Sequence, residues 1–161
     1  MTTGVVRVTE GRVEEAPRLS DLALRSKGHW GYDATFLEAC RAELTLTPGQ
    51  AASARVARDG DELLGFHLLG AHLDQGELLM LFVDPSAIGR GVGRALLEDA
   101  QRDAASRGWS TLRVESDPGA EGFYLAHGAR RVGSVPSGSV AGRELPLLEL
   151  PVLLVGENFV G

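Results

Sequence analysis

Apolar and polar residues alternate with a period of two in VVRVTE (residues 5–10), which predicts a first strand. Over residues 11–28 the spacing turns helical, with Gly28 a stop after Lys27. Pro17 lies inside that stretch and either starts the helix or kinks it. Asp33 precedes Phe36, Leu37, Cys40 and Leu44 as the N-cap of a second helix, which Thr47-Pro48-Gly49 ends. Two strand-like runs then flank Asp59-Gly60, a hairpin signal. A turn at residues 74–76 leads into ELLMLFV (77–83), an almost wholly apolar run of the kind expected of a strand covered on both faces.

Helical spacing returns after a cluster of glycines, placing Val92, Leu96, Ala100 and Ala104 at four-residue steps. Glu98 with Arg102 and Asp103 with Arg107 form i,i+4 pairs of helpful sign, while Asp99 and Asp103 crowd the edge of the apolar face. Gly108 stops this helix. STLRVES (110–116) reads as a strand, and residues 118–128 as a short helix behind Asp117 as N-cap. Two strands, in ARRVGSV (129–135) and RELPLLELPVLLV (143–155), close the chain around the polar loop PSGSVAGR (136–143). The order β-α-α-β-β-β-α-β-α-β-β implies an α/β fold with a mixed sheet, and no repeat or linker divides residues 1–161 into more than one domain.

Composition narrows the function classes. The chain has 161 residues, 43% of them hydrophobic and 24% charged, which is ordinary for a globular protein and argues against disorder. Its formal net charge is −6 and it has no cluster of Lys and Arg, so no nucleic-acid partner is expected. An acidic surface mildly steers amines inward. The single cysteine, Cys40, excludes an internal disulfide, suits a reducing cytoplasmic setting and sits at a helix-packing position. Neither a leader pattern at the N-terminus nor an apolar run of membrane-spanning length occurs, so no membrane association is expected.

The chemistry-bearing stretch is LFVDPSAIGRGVGRALLEDA (81–100), a strand, a glycine-spaced turn and a helix. The first turn of a helix carries amide N–H groups without intrahelical partners, and the macrodipole adds positive charge there. Glycines remove the side chains that would keep a bulky anion such as pyrophosphate from those amides. The GxGxG spacing is not the GxGxxG of dinucleotide-binding turns, and no Gly-Lys-Ser/Thr marks a Walker loop. Val83, Pro85, Gly91 and Gly93 instead resemble the acetyl-CoA-binding segment of the GNAT superfamily of N-acetyltransferases, Val-x-Pro followed by Q/R-x-x-G-x-G/A. DPGAEGFYLAHGA (117–129) resembles that family's later motif through Asp117, Ala120, Tyr124 and Gly128.

The resemblance implies a GNAT-type fold, a mixed and mostly antiparallel sheet of about seven strands with about four helices. It also implies acetyl-CoA as co-substrate, with contacts from Phe82, Val83, Ile88, Gly89, Arg90, Gly91, Val92, Gly93, Arg94 and Asp117. Three positions depart from the family pattern. Ile88 stands where Gln or Arg is usual, which leaves a backbone amide as its contribution. Asp117 replaces Asn, adding repulsion or capping its helix, and Ala129 replaces an aromatic residue.

Acyl transfer from a thioester to an amine needs a deprotonated amine and a proton for the departing thiolate. A free alkylammonium has a pKa of roughly 10. By resemblance Tyr124 lies beside the coenzyme sulfur, where a phenol would donate the proton; the alternative is a packing residue. Glu77 corresponds in position to the base of histone-type members, and apolar surroundings would raise its pKa; the alternative is a solvated carboxylate at a strand start. His29, Trp30, Tyr32 and Asp33 lie where the family shapes its acceptor pocket, although Asp33 would equally serve as a cap and Trp30 as loop packing. His67 and His72 fall on opposite faces of one strand, so no metal is expected. The expected activity is acetyl transfer by direct attack of an amine on a small molecule or peptide. The rival is an acyl-CoA-binding sensor or scaffold that does not transfer. By resemblance, the apolar run at residues 145–155 makes a homodimer plausible.

Overall fold

Local capping and periodicity account for most element boundaries in the computed structural model, which describes residues 4–152. Strand β1 (Arg7–Glu10) leads through a 3-10 turn (Val13–Glu15) into α1 (Ala16–Gly28), α2 (Ala34–Leu44) and α3 (Pro48–Ser53). The hairpin strands β2 (Arg55–Asp59) and β3 (Glu62–His72) follow, then β4 (Gln75–Val83), a 3-10 turn (Pro85–Ala87) and α4 (Val92–Ser106). The chain continues with β5 (Thr111–Glu115), a 3-10 turn (Pro118–Ala120), α5 (Glu121–Ala126), β6 (Arg130–Pro136) and β7 (Glu144–Pro151). The seven strands form one sheet in the order β1-β2-β3-β4-β5-β7-β6. β4 and β5 pair in parallel, at Gly76↔Leu112 and Glu77↔Arg113, whereas β5 and β6 each pair antiparallel with β7.

Pro17 falls in the first turn of α1, where its missing N–H costs nothing, so the helix starts there without a kink. The helix expected over residues 118–128 divides into the 3-10 turn and α5. α3 is an additional element: Thr47-Pro48-Gly49 opens a helix, whereas α2, which it was expected to end, has already stopped at Leu44 with Thr45 as its C-cap. The Thr47 hydroxyl accepts from the Gln50 amide and the Gln50 side chain accepts from the Thr47 amide, a reciprocal cap that satisfies two otherwise unpaired donors. The described residues thus contain five α-helices where the resemblance implies about four.

The chain divides into two compact units. The first comprises the residues up to Leu68 together with Met80–Leu97 and Gly138–Val140. In its larger core, Leu19 and Leu22 of α1, Cys40 and Leu44 of α2 and Ala51 of α3 pack on Val56, Phe66 and Leu68, with Met80 and Phe82 alongside. A second cluster gathers Ala57, Leu64, Ala87, Val92 and Leu96, with Leu81 and Val83 packed against it. Full burial of a Val or Leu side chain contributes about 1.5–3 kcal/mol. The near-complete burial of Val92 and Leu96 therefore holds the rotation of α4 at its N-terminal end.

The second unit comprises Leu69–Leu79, Glu98–Ser137 and the residues from Ala141 onward. Leu112, Val114, Leu148 and Leu150 of β5 and β7 are buried, as are Ala100, Ala104 and Tyr124 from the helices. β4 is less covered than its apolar sequence predicts. Leu78 is buried but Leu79 is 48% exposed, because its side chain lies against Gly70, which has no side chain to cover it. The apolar run at 145–155 falls in β7 only as far as Pro151, and residues 153–155 lie outside the described residues.

Candidate active site

Two glycines shape the mouth of α4. Gly89 and Gly91 adopt φ +92° and +78°, a left-handed backbone that L side chains enter at a cost, and a Cβ built on either meets nothing within 4 Å. The turn is exposed on that side, as an anion cradle requires. The Gly91 carbonyl accepts from Ala95 at 3.1 Å, which makes Gly91 the residue flanking the helix. The amides of Gly91, Val92 and Gly93 are then among the first-turn donors that the helix's own carbonyls do not reach. The Arg90 amide donates to Ala87 O at 3.2 Å, and the Ile88 amide only reaches Pro85 O at 3.4 Å. These residues fit a pyrophosphate through backbone donors. The Arg90 guanidinium is held by Asp59 at 3.2 Å, while Ile88 is 54% exposed.

Upstream, β3 and β4 are drawn close together. A Cβ on Gly65 would fall 2.6 Å from Phe82 O and 3.2 Å from Val83 Cα, so only glycine allows β4 to end where it does. The Asp84 amide donates to Leu64 O at 2.8 Å, and its carboxylate accepts from both the amide and hydroxyl of Ser86. Arg25 of α1 donates to the same carboxylate from Nε at 3.2 Å and Nη2 at 2.5 Å. Burial works to raise the pKa of this carboxyl, but the hydrogen bonds from Arg25 and Ser86 prevail and hold it below the usual range.

In the second unit, Tyr124 of α5 is buried at 6% exposure. Desolvation, with a smaller push from Asp117, raises its phenol above the ordinary value, so the hydroxyl keeps its proton at neutral pH. Asp117 caps the 3-10 turn through Gly119 N at 2.8 Å, and Arg143 lies 3.5 Å from its other oxygen. The charge that replaces the family's Asn therefore has a cationic neighbour. Ala129 is buried and donates its amide to Tyr124 O at 3.0 Å.

Glu77 is largely buried, and its carboxyl is pushed above the ordinary value, first by desolvation and then by Glu115. Arg113 and His72 pull in the opposite direction. Arg113 donates to Glu115 at 3.0 Å, whereas its Nε stays 4.0 Å from Glu77, too far for a hydrogen bond. Glu77 is thus a carboxylate with an elevated pKa beside a cation that does not clamp it.

In the segment after α1, Asp33 caps α2, accepting from Phe36 N at 2.9 Å. Tyr32 stacks on Phe36 at 4.0 Å with the Lys27 ammonium over both rings, while Trp30 is 49% exposed beside His29. His67 is buried and His72 exposed. Among the described residues, no three His, Cys, Asp or Glu side chains gather as a metal site, and no helix is long and apolar enough to cross a membrane. Periodicity and motif spacing assign no site role to Arg25, Asp59, Asp84, Arg113 or Arg143. Asp84-Pro85-Ser86 carries a local capping signal. The ion-pair partners of the others lie up to 59 residues away.

Comparison with known proteins agrees with this geometry. A family model described as an acetyltransferase (GNAT) domain matches residues 16–140. A mycothiol acetyltransferase of Nocardioides sp. is 31% identical over 133 residues, covering 73% of this chain and 45% of that protein. The peptidyl-lysine N-acetyltransferase YjaB of Salmonella typhimurium is 38% identical over 93 residues, covering 57% of this chain and 59% of that protein. The chain thus matches about half the length of these curated relatives. The PaiA N-acetyltransferase of Thermoplasma acidophilum, solved in complex with coenzyme A, superposes with a TM-score of 0.72 at 18% identity. That match covers 91% of this chain and 99% of that one, a likeness of fold.

Proposed function

This chain belongs to the GNAT family of acetyltransferases, and we propose that it transfers an acetyl group from acetyl-CoA to an amine of a small molecule or peptide. The observation that carries the reading is the exposed left-handed turn at Gly89 and Gly91, which opens the first-turn amides of α4 to an anion. Bound acetyl-CoA would supply the thioester carbon that the amine attacks. The backbone of Phe82 and Val83 lines the acyl arm, the amides of Gly89 and of Gly91 to Arg94 hold pyrophosphate, and Arg90 and Arg94 add cationic support. Asp117 with Arg143 flanks the pantetheine arm.

Glu77 accepts the ammonium proton, directly or through water, since an elevated pKa brings its basicity closer to the working pH. Tyr124, whose phenol burial keeps neutral, donates its hydroxyl proton to the leaving thiolate and regains one from the second proton that the attacking nitrogen sheds. His29, Trp30 and Tyr32 contact the acceptor, with Asp33 shaping their backbone as the cap of α2. The chain acts in the cytoplasm, without a metal. β7 offers no free edge for the homodimer expected through the apolar run at 145–155, because β5 and β6 pair with it on both sides, and it buries Leu148 and Leu150.

The deciding experiment measures CoA binding by calorimetry, then thiol release from acetyl-CoA across a panel of primary amines. Binding with amine-dependent thiol release supports the reading. Binding without turnover on any amine would replace it with a sensor or scaffold, and no binding would refute the cradle.

A further inference from the structure

Arg25 meets two segments with opposite ends of itself. Its side chain grips Asp84, the residue that caps the 3-10 turn leading into the glycine loop. Its backbone carbonyl accepts from His29 N at 3.1 Å and so closes the last turn of α1. A chain of i→i+3 bonds continues from there, Trp30 N to Lys27 O at 3.2 Å and Gly31 N to Gly28 O at 3.1 Å. Residues 29–31 are therefore wound tightly onto the end of α1 with little independent freedom. Asp84 is equally constrained, by Leu64 O through its amide and by Ser86 through its carboxylate.

We propose that Arg25 is a positioning residue that couples the coenzyme turn to the acceptor segment, so that occupying the glycine loop tightens residues 29–33. This inference rests on the acetyl-CoA reading above. Both partners of the ion pair sit on short, internally bonded units, so a shift of one is passed to the other instead of being absorbed by a loose side chain. An anion on the α4 amides stabilises one arrangement of the 84–91 turn, and the carboxylate–guanidinium contact favours the matching arrangement of the α1 terminus. Such coupling is reciprocal, so an acceptor bound at 29–33 strengthens coenzyme binding by the same factor. Acceptor discrimination then follows coenzyme binding, because the pocket is complete only after the loop is filled.

The test is hydrogen–deuterium exchange of the His29, Trp30 and Gly31 amides, with and without saturating coenzyme A. In the unaltered protein, coenzyme A should slow their exchange by about threefold or more. In Arg25→Gln, coenzyme A still binds, with affinity lowered by about three- to tenfold, and the slowing disappears. The Arg25 side chain is 54% exposed, so its replacement leaves the core intact. Asp84→Asn keeps the oxygen that caps Ser86 but loses the ion pair, and should reproduce the uncoupling, while Arg25→Lys should restore part of it. Protection that persists in both uncoupling variants, or that never arises in the unaltered protein although coenzyme A binds, overturns the coupling alone. Failure of the unaltered protein to bind coenzyme A overturns the coupling and the acetyl-CoA reading together.

Discussion

Replacing Gly91 with alanine isolates the backbone contribution of the cradle. At φ +78° an alanine carries the left-handed penalty of about 1–2 kcal/mol, and with nothing within 4 Å of its Cβ no clash adds to it. If the turn stays left-handed in the free variant, the melting temperature should fall by about 2–8 °C, at 2–4 °C per kcal/mol for a chain of this size. If the loop relaxes out of the left-handed region in free Gly91→Ala protein, binding must restore it, and the same energy weakens coenzyme A affinity about 5- to 30-fold. Gly108 provides a matched control, since it has φ +84°, equally open space, and a position beyond the other end of α4. Gly108→Ala should lose comparable stability while keeping its affinity. The assay is calorimetric titration with coenzyme A alongside thermal melts of both variants. Unchanged affinity in Gly91→Ala together with an unchanged melting temperature would refute the backbone cradle, since a relaxed loop must meet the left-handed penalty on binding. Equal affinity losses in the two variants would show that stability, and not the site, sets binding.

Tyr124→Phe should lower kcat at least tenfold with little change in coenzyme A affinity, measured by thiol release and titration; full activity removes its role as acid. Because Glu77 titrates above its ordinary value, activity should rise through a correspondingly elevated acid limb, and Glu77→Gln should flatten that limb in the pH–rate profile. Arg113→Gln removes a charge that favours ionised Glu77 and should move the limb to higher pH; a limb that stays put counts against Glu77 as base. Glu15, held below its ordinary 4.5 chiefly by hydrogen bonding to Arg58, stabilises the fold fully above that value, and the contribution is lost as pH falls through its lowered pKa. Glu15→Ala should cost about 3 kcal/mol at neutral pH by removing the carboxylate that neutralises the largely covered Arg58 guanidinium, and pH-dependent melts should lose that acid-side decline.

Elements are legible in the sequence wherever their cause is local. The Asp33 cap follows from a side chain reaching an amide three residues ahead, and the α4 stripe follows from the pitch of a helix burying Val92, Leu96, Ala100 and Ala104. The glycine turn stands out because left-handed backbone restricts residue choice. α3 is equally local, and its T-x-x-Q box in Thr47-Pro48-Gly49-Gln50 is visible, but the Pro-Gly within it reads as a terminator. Leu79 shows the converse, since an apolar residue in an apolar strand stays half exposed when its neighbour across the hairpin is Gly70.

The candidate site divides along the same line. Sequence by itself offered the candidate groups: the glycine amides through their spacing and, through the family resemblance, the Tyr124 phenol as a proton donor and the Glu77 carboxylate as a proton acceptor. Tertiary structure alone decided their electrostatic state. Arg25 meets Asp84 across 59 residues of chain, Arg143 answers the charge of Asp117, and Glu115 and Arg113 oppose one another over Glu77. Desolvation and Coulomb interaction depend on what lies within a few ångströms through space, a quantity no local pattern in a chain contains.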